Sequence, residues 1–104
     1  MAQFDVYENT NTESMHYFPY LLDVQAEMLS NLPTRVVVPL MTRSLIRTLI
    51  PVLNPVLEIS QTEVIMSTSQ LVGIHLSSLG NKVISVKEKR DIIIAALDLL
   101  FTGY

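Results

Sequence analysis

The sequence has no cysteine, which excludes disulfides, thiolate metal sites and a cysteine nucleophile. Glycine is nearly as scarce. Gly73, Gly80 and Gly103 are the three present, and they are too scattered to build a phosphate-cradling loop. Charged residues make up 16% of the 104 residues against 49% hydrophobic, with a net charge of −3. So apolar a chain can bury a core and is not a disordered one. Its acidic balance argues against a general nucleic-acid binder, which carries a basic face. Long apolar runs are missing too: the longest, Ile92 to Leu97, stops at Asp98, far short of the roughly 20 residues that cross a bilayer. The opening "MAQFDVYENT" lacks the basic stretch and apolar core of a secretory signal. The expectation is one soluble, cytoplasmic domain over residues 1–104, with no membrane partner. So little charge on so small a surface also suits self-association.

What is present alternates. In "QFDVY", Phe4 and Val6 face one way and Gln3, Asp5 and Tyr7 the other; in "YLLDVQ", Tyr20, Leu22 and Val24 oppose Asp23 and Gln25. Period two in β-prone residues predicts half-buried strands, joined across the polar loop "ENTNTES" as a hairpin. "RVVVPL" has three consecutive valines, which predicts a strand covered on both faces and ending at Pro39, since proline cannot donate to a ladder. "PVLNPVLEI", with two prolines, reads as an edge or bulged strand; "TEVIM" and "LVGIHL" read as short strands. Gly80-Asn81 predicts a tight turn leading into "KVIS". "MTRSLIRTLI" reads as an irregular arm or short helix, cut off by Pro51.

The end of the chain predicts a helix. Ser85 followed by Glu88 has the spacing of a capping box, and Lys87 to Asp91 supply a charged first stretch. From Ile92 to Leu97 every residue is apolar, and three successive isoleucines at about 100° each already span some 200° of the circumference. One sheet face does not cover that arc, so a second surface is expected against the helix. Gly103 can end it. The fold class read from these patterns is α+β: mainly antiparallel β, with a C-terminal α-helix.

Constellations for chemistry are sparse. His16 and His75 stand far apart with no clustered ligands, so no metal site is read; His16 fits an exposed loop and His75 a structural place on a strand. No serine sits in a nucleophile elbow. Glu58 and Glu63 could pair across a turn, although carboxylates at strand ends are ordinarily solvated. Arg35, Arg43 and Arg47 could line an RNA stripe, but the aromatic residues that stack bases are not interleaved with them. The residues point to a small binding protein that is not an enzyme and carries no cofactor.

In order along the chain, "QFDVY", "LLDVQAEML", "RVVVPL", "PVLEI", "MSTSQLVGIHLSSLG" and "DLLFTGY" resemble the CcdB family of toxins from toxin–antitoxin modules. The resemblance implies a small SH3-like barrel with a C-terminal helix. It implies a homodimer, its helices meeting at the interface, which places Ile92, Ile93, Ala96, Leu97 and Leu100 there. It also implies that the toxin binds DNA gyrase through the gyrase A protein and traps the enzyme on cleaved DNA, catalysing nothing itself and binding no nucleic acid alone. A CcdA-like antitoxin with a disordered C-terminal segment would neutralise it. The family's gyrase contact maps onto Thr102, Gly103 and Tyr104, with Met28, Leu29, Asp98 and Phe101 at neighbouring contact positions.

One departure stands out. The first of the last three residues is typically a tryptophan that stacks on a gyrase arginine, and this chain has Thr102. A threonine offers no ring for a cation–π contact worth about 0.5–2 kcal/mol. Tyr104 supplies the aromatic face instead, or affinity is lower, or the natural target differs. Two alternatives therefore stay open. One is a weakly toxic dimer kept for antitoxin binding. The other is a ribonuclease toxin of related fold, with His75, Glu58 and Arg35 as acid, base and cation.

Overall fold

The computed structural model describes residues 2–103. Seven strands, β1 (Asp5–Asn9), β2 (Tyr20–Asp23), β3 (Thr34–Thr42), β4 (Val56–Ile59), β5 (Thr62–Met66), β6 (Val72–His75) and β7 (Leu79–Ser85), precede one helix, α1 (Arg90–Thr102). The strands form one antiparallel sheet in the order β4-β5-β3-β2-β1-β7, with β6 paired to β3 beside that path. The sheet curls into a half-barrel, and α1 closes its concave side, so the α+β reading holds. Among the described residues no helix is long and apolar enough to cross a membrane.

The alternation read in the sequence sets which face is core. Val6 of β1, Leu22 of β2 and Val38 and Leu40 of β3 are fully buried together with Leu57, Ile59, Val64 and Met66, and α1 adds Ile93 and Ala96 to the same cluster. The first two segments do pair as a hairpin, with Val6 opposite Leu22. Their strands are not half-buried, however. Asp5, Tyr7, Leu21, Asp23, Arg35 and Val37, on the other face, are buried as well.

Pro39 does not end β3, which runs on to Thr42. Before it, β3 pairs with β6 from Thr34 to Val37; after it, with β5 from Leu40 to Thr42. The Pro39 carbonyl accepts from Ser67 N–H at 2.9 Å, so its nitrogen also points to that edge, into the gap where one partner gives way to the next. No ladder donor is required there, and proline is tolerated mid-strand. Nor is Gly80-Asn81 a turn: both lie within β7. A Cβ on Gly80 would come within 2.8 Å of the Glu8 carbonyl oxygen, so glycine serves a close backbone approach where the β1–β7 register is bulged. The real tight turn is Ser60-Gln61, both at positive φ (50° and 66°), between partners Ile59 and Thr62. That is the type I′ twist, here made without glycine. The arm after β3 is a short 3₁₀ turn, Arg43–Leu45, followed by irregular chain.

The helix starts later than the capping box implies. Ser85 Oγ accepts from Lys87 N–H at 3.4 Å, not from Glu88. Lys87–Lys89 form a 3₁₀ turn, and α1 begins at Arg90 with no side-chain cap. The Arg90 guanidinium lies 5.9 Å from the Phe4 ring centre instead, a cation–π contact that ties the first helical turn to the start of β1.

The second buried face carries charge. Arg35 Nε donates to Asp23 Oδ2 at 2.9 Å and Nη2 lies 2.6 Å from the same oxygen, with both side chains fully buried. Nη1 has no hydrogen-bond partner among the described residues. Burial pushes the Asp23 carboxyl above its ordinary range, against the pull of the Arg35 and Gln25 hydrogen bonds. Beside it, Tyr7 Oη donates to Asp5 Oδ2 at 3.4 Å, and Asp5 also meets Lys82 Nζ at 3.4 Å. Burial, then the Asp5 and Asp23 carboxylates, push the Tyr7 phenol up to about 12.

Two outcomes follow for stability. Arg35→Met alone leaves the Asp23 carboxylate buried without its cation and lowers the unfolding free energy by about 3–5 kcal/mol, whereas Arg35→Met with Asp23→Leu restores most of it. Denaturant melts of both variants check this, and equal losses would contradict it. For Tyr7 the folded chain holds its proton more tightly than the unfolded chain does. Its contribution is therefore full below pH 10.0 and lost as pH rises toward about 12. Tyr7→Phe should flatten the alkaline fall in stability across that window, and an unchanged profile would refute the assignment.

Candidate partner-binding surface

The last turn of α1 is exposed on a rigid mount. Ile93 and Ala96 lock the helix into the core, while Asp98, Phe101, Thr102 and Gly103 at its end stand free in solvent. Phe101 is 68% exposed, which is costly for a large apolar ring unless something else covers it. Gly103 adopts the left-handed conformation, φ 80° and ψ 17°, and its N–H donates to the Leu99 carbonyl at 3.1 Å. This is the αL termination, and glycine makes it without steric penalty. Thr102 Oγ1 donates back to the Asp98 carbonyl at 2.7 Å, so its hydroxyl is spent on the helix and its methyl is left to face solvent. Tyr104 lies outside the described residues.

The helix faces divide differently from the sequence expectation. Ile93 and Ala96, expected at an interface between copies, are both fully buried against their own sheet and have no surface to offer. Leu97 and Leu100 are half-buried, and Ile92 is 42% exposed. Ile92, Ala95 and Leu99, one side of the helix at spacings of three and four, lie outside the buried cluster, Ile92 exposed and Ala95 and Leu99 half-buried. Sequence reasoning misses Ala95 and Leu99 because a run that is apolar all round hides which side the sheet takes.

Met28 and Leu29 form, with Glu27, a 3₁₀ turn between β2 and β3 that has no buried residue. Met28 is 88% exposed. Glu27 lines one concavity with Lys87 and Arg90, which places this turn beside the N-terminal end of α1. The tip is at the other end, about 18 Å along the axis at 1.5 Å per residue. The expected contact residues therefore form two separate apolar points and not one patch.

The residues that could serve RNA cleavage are not brought together. Arg35 is buried and engaged by Asp23. His75 Nδ1 accepts from Ser77 N–H at 3.1 Å, capping the 3₁₀ turn Leu76–Ser78. His75 pairs with Thr34 at the start of β3, whereas Glu58 sits on β4, joined through β5 to the far end of β3. Eight steps of strand, about 27 Å, separate those ends. Glu58 and Glu63 are direct cross-strand partners and both are exposed. A larger groove of about 490 Å³ lies over Leu21, Pro39, Val72 and Ile74 on the sheet face away from α1, rimmed by the loop after β1; its lining includes no charged side chain. Without a cation, that groove offers a phosphodiester no charge compensation. Among the described residues no group of three or more His, Asp or Glu could hold a metal ion.

Comparison with known proteins agrees with this architecture. The model of the CcdB protein family matches residues 3–103. An endoribonuclease from a mycobacterial species, solved in complex with its cognate antitoxin, superposes with a TM-score of 0.73 at 17% identity, over 96% of this chain and 93% of that one. Another structure of a mycobacterial endoribonuclease gives 0.69 at 16% identity, over 96% and 89%. At such identity the likeness is one of fold. No curated protein matches the sequence significantly.

Proposed function

The chain belongs to the CcdB protein family, toxins of toxin–antitoxin modules, and from that premise we propose that it poisons DNA gyrase by binding and not by catalysis. The observation that carries this reading is the α1 tip. Phe101 and the Thr102 methyl are presented to solvent by a helix whose opposite side is anchored in the core. A rigid mount keeps the ordering cost of binding low. A second copy covering Ile92 and Leu99 would set two such tips about one two-fold axis, to meet a two-fold target such as the gyrase A dimer. Met28 and Leu29 would then give each protomer a second apolar contact. A cognate antitoxin is the expected counterpart, and the cytoplasm the place where both act.

The ribonuclease reading has less behind it. The mycobacterial neighbours share the fold, but fold does not carry chemistry. Here the base, the acid and the cation stand apart, and the cation is consumed inside the core.

On supercoiled plasmid, the full chain should accumulate gyrase-cleaved linear DNA, and a chain lacking residues 102–104 should not, while folding and antitoxin binding persist. A truncation that still traps cleavage refutes the tip. Thr102→Trp should strengthen trapping by roughly 2- to 30-fold, the range of one added cation–π contact; dose–response in the same assay measures it, and an unchanged potency would show that this position meets no cation.

A further inference from the structure

The Met28–Leu29 turn has no core of its own. Its internal bonds are Leu29 N–H to the Ala26 carbonyl at 3.0 Å, Ser30 N–H to Glu27 at 2.9 Å and Leu32 N–H to Leu29 at 3.1 Å. None of these ties it to the sheet. Among the described residues, one hydrogen bond joins the backbone of residues 26–32 to the buried interior: Gln25 Nε2 donates to the Leu29 carbonyl at 3.0 Å. We propose that Gln25 is a positioning residue, whose buried carboxamide holds Met28 and Leu29 in the geometry the partner meets. The role of the turn in binding rests on the gyrase reading above; the holding of the turn does not.

The carboxamide can do this because everything around it is fixed. Its Oε1 accepts from Val36 N–H at 3.0 Å, which settles which end is oxygen and leaves the amide hydrogens for Leu29. The Gln25 N–H donates to Asp23 Oδ1 at 3.0 Å, and the other carboxylate oxygen of Asp23 is taken by Arg35. Gln25 itself is buried. A continuous chain of hydrogen bonds therefore runs from the buried Arg35 guanidinium through Asp23 and Gln25 to the Leu29 carbonyl, next in sequence to the exposed Met28. A carboxamide is the one side chain of this length that can accept from β3 and donate to the turn at once. Glutamate can only accept, and methionine does neither.

That difference supplies the test. Gln25→Glu, read at alkaline pH where the new carboxyl is ionised, keeps the bond from Val36 N–H and sets a carboxylate oxygen against the Leu29 carbonyl, severing the link to the turn. Amide exchange at Ser30 and Leu32 should quicken by about 2- to 10-fold, the range one hydrogen bond is worth, and by more than at amides of β2 and β3, since a carboxylate buried beside Asp23 also lowers the melting temperature. Affinity for the purified gyrase A protein should fall by a similar factor. Met28→Ala should weaken binding in the native chain and add little on the Gln25→Glu background, because the contact is already misplaced. Unchanged exchange in the turn would overturn the proposal, and so would full additivity with Met28→Ala. Should Gln25→Glu not fold, Gln25→Met is read by the same exchange. If the native chain does not bind the gyrase A protein, the gyrase reading falls, and exchange at Ser30 and Leu32 still decides whether Gln25 holds the turn.

Discussion

A guanidinium with no exposed surface must be compensated where it stands, and much of this protein is arranged around that requirement. Arg35 sits in the first rungs of β3 and Asp23 at the last position of β2. Between them the chain makes the whole excursion that exposes Met28. A neutral contact at this point would tolerate a slipped register, because the valines that follow are interchangeable on either face. A charge pair does not: a one-residue shift would carry Arg35 to the opposite face and leave both charges unpaired. The pair contributes little net stability, since burial already presses Asp23 toward its neutral form. Its effect is to select one alignment of β2 on β3, and so one position for the turn between them.

The same strand organises the rest. β3 is shared between two partners, β6 along its first half and β5 along its second, and the handover falls at Pro39. The sheet can curl there because no donor is needed in the gap. Curling leaves a concave side that a single helix can fill, and α1 fills it with Ile93 and Ala96. An anchored helix of 13 residues then carries its last turn clear of the sheet.

Much of this is legible in local pattern. The β1–β2 hairpin, the succession of short strands, the irregular arm and the terminal helix all follow from periodicity, and Gly103 from its place after a helix. The misses have a common cause. Pro39 and Gly80 read as breaks because locally they are, and only the neighbouring strands show that one needs no donor and the other admits no Cβ. The Ser85–Glu88 spacing fits a cap, yet Phe4 reaches Arg90 from far away in sequence, and the helix begins there instead. The charged second face is invisible in the sequence, since Asp23 and Arg35 in alternating strands look like solvent-facing residues.

For the candidate surface the division is similar. The amino-acid order by itself determined that the chain ends in an apolar helix with an aromatic tip, that it has no cysteine or clustered ligands, and that its segments resemble one toxin family, because each of these is a property of neighbours in sequence. Tertiary structure alone decided which arc of that helix is spent on the core, leaving Ile92 exposed where Ile93 and Ala96 are not. It also decided that Met28 and Phe101 stand at opposite ends of one helix, and that the only link from that turn to the interior is a buried glutamine among the described residues. Those are matters of which surfaces exclude water together, and water is excluded only once distant segments meet.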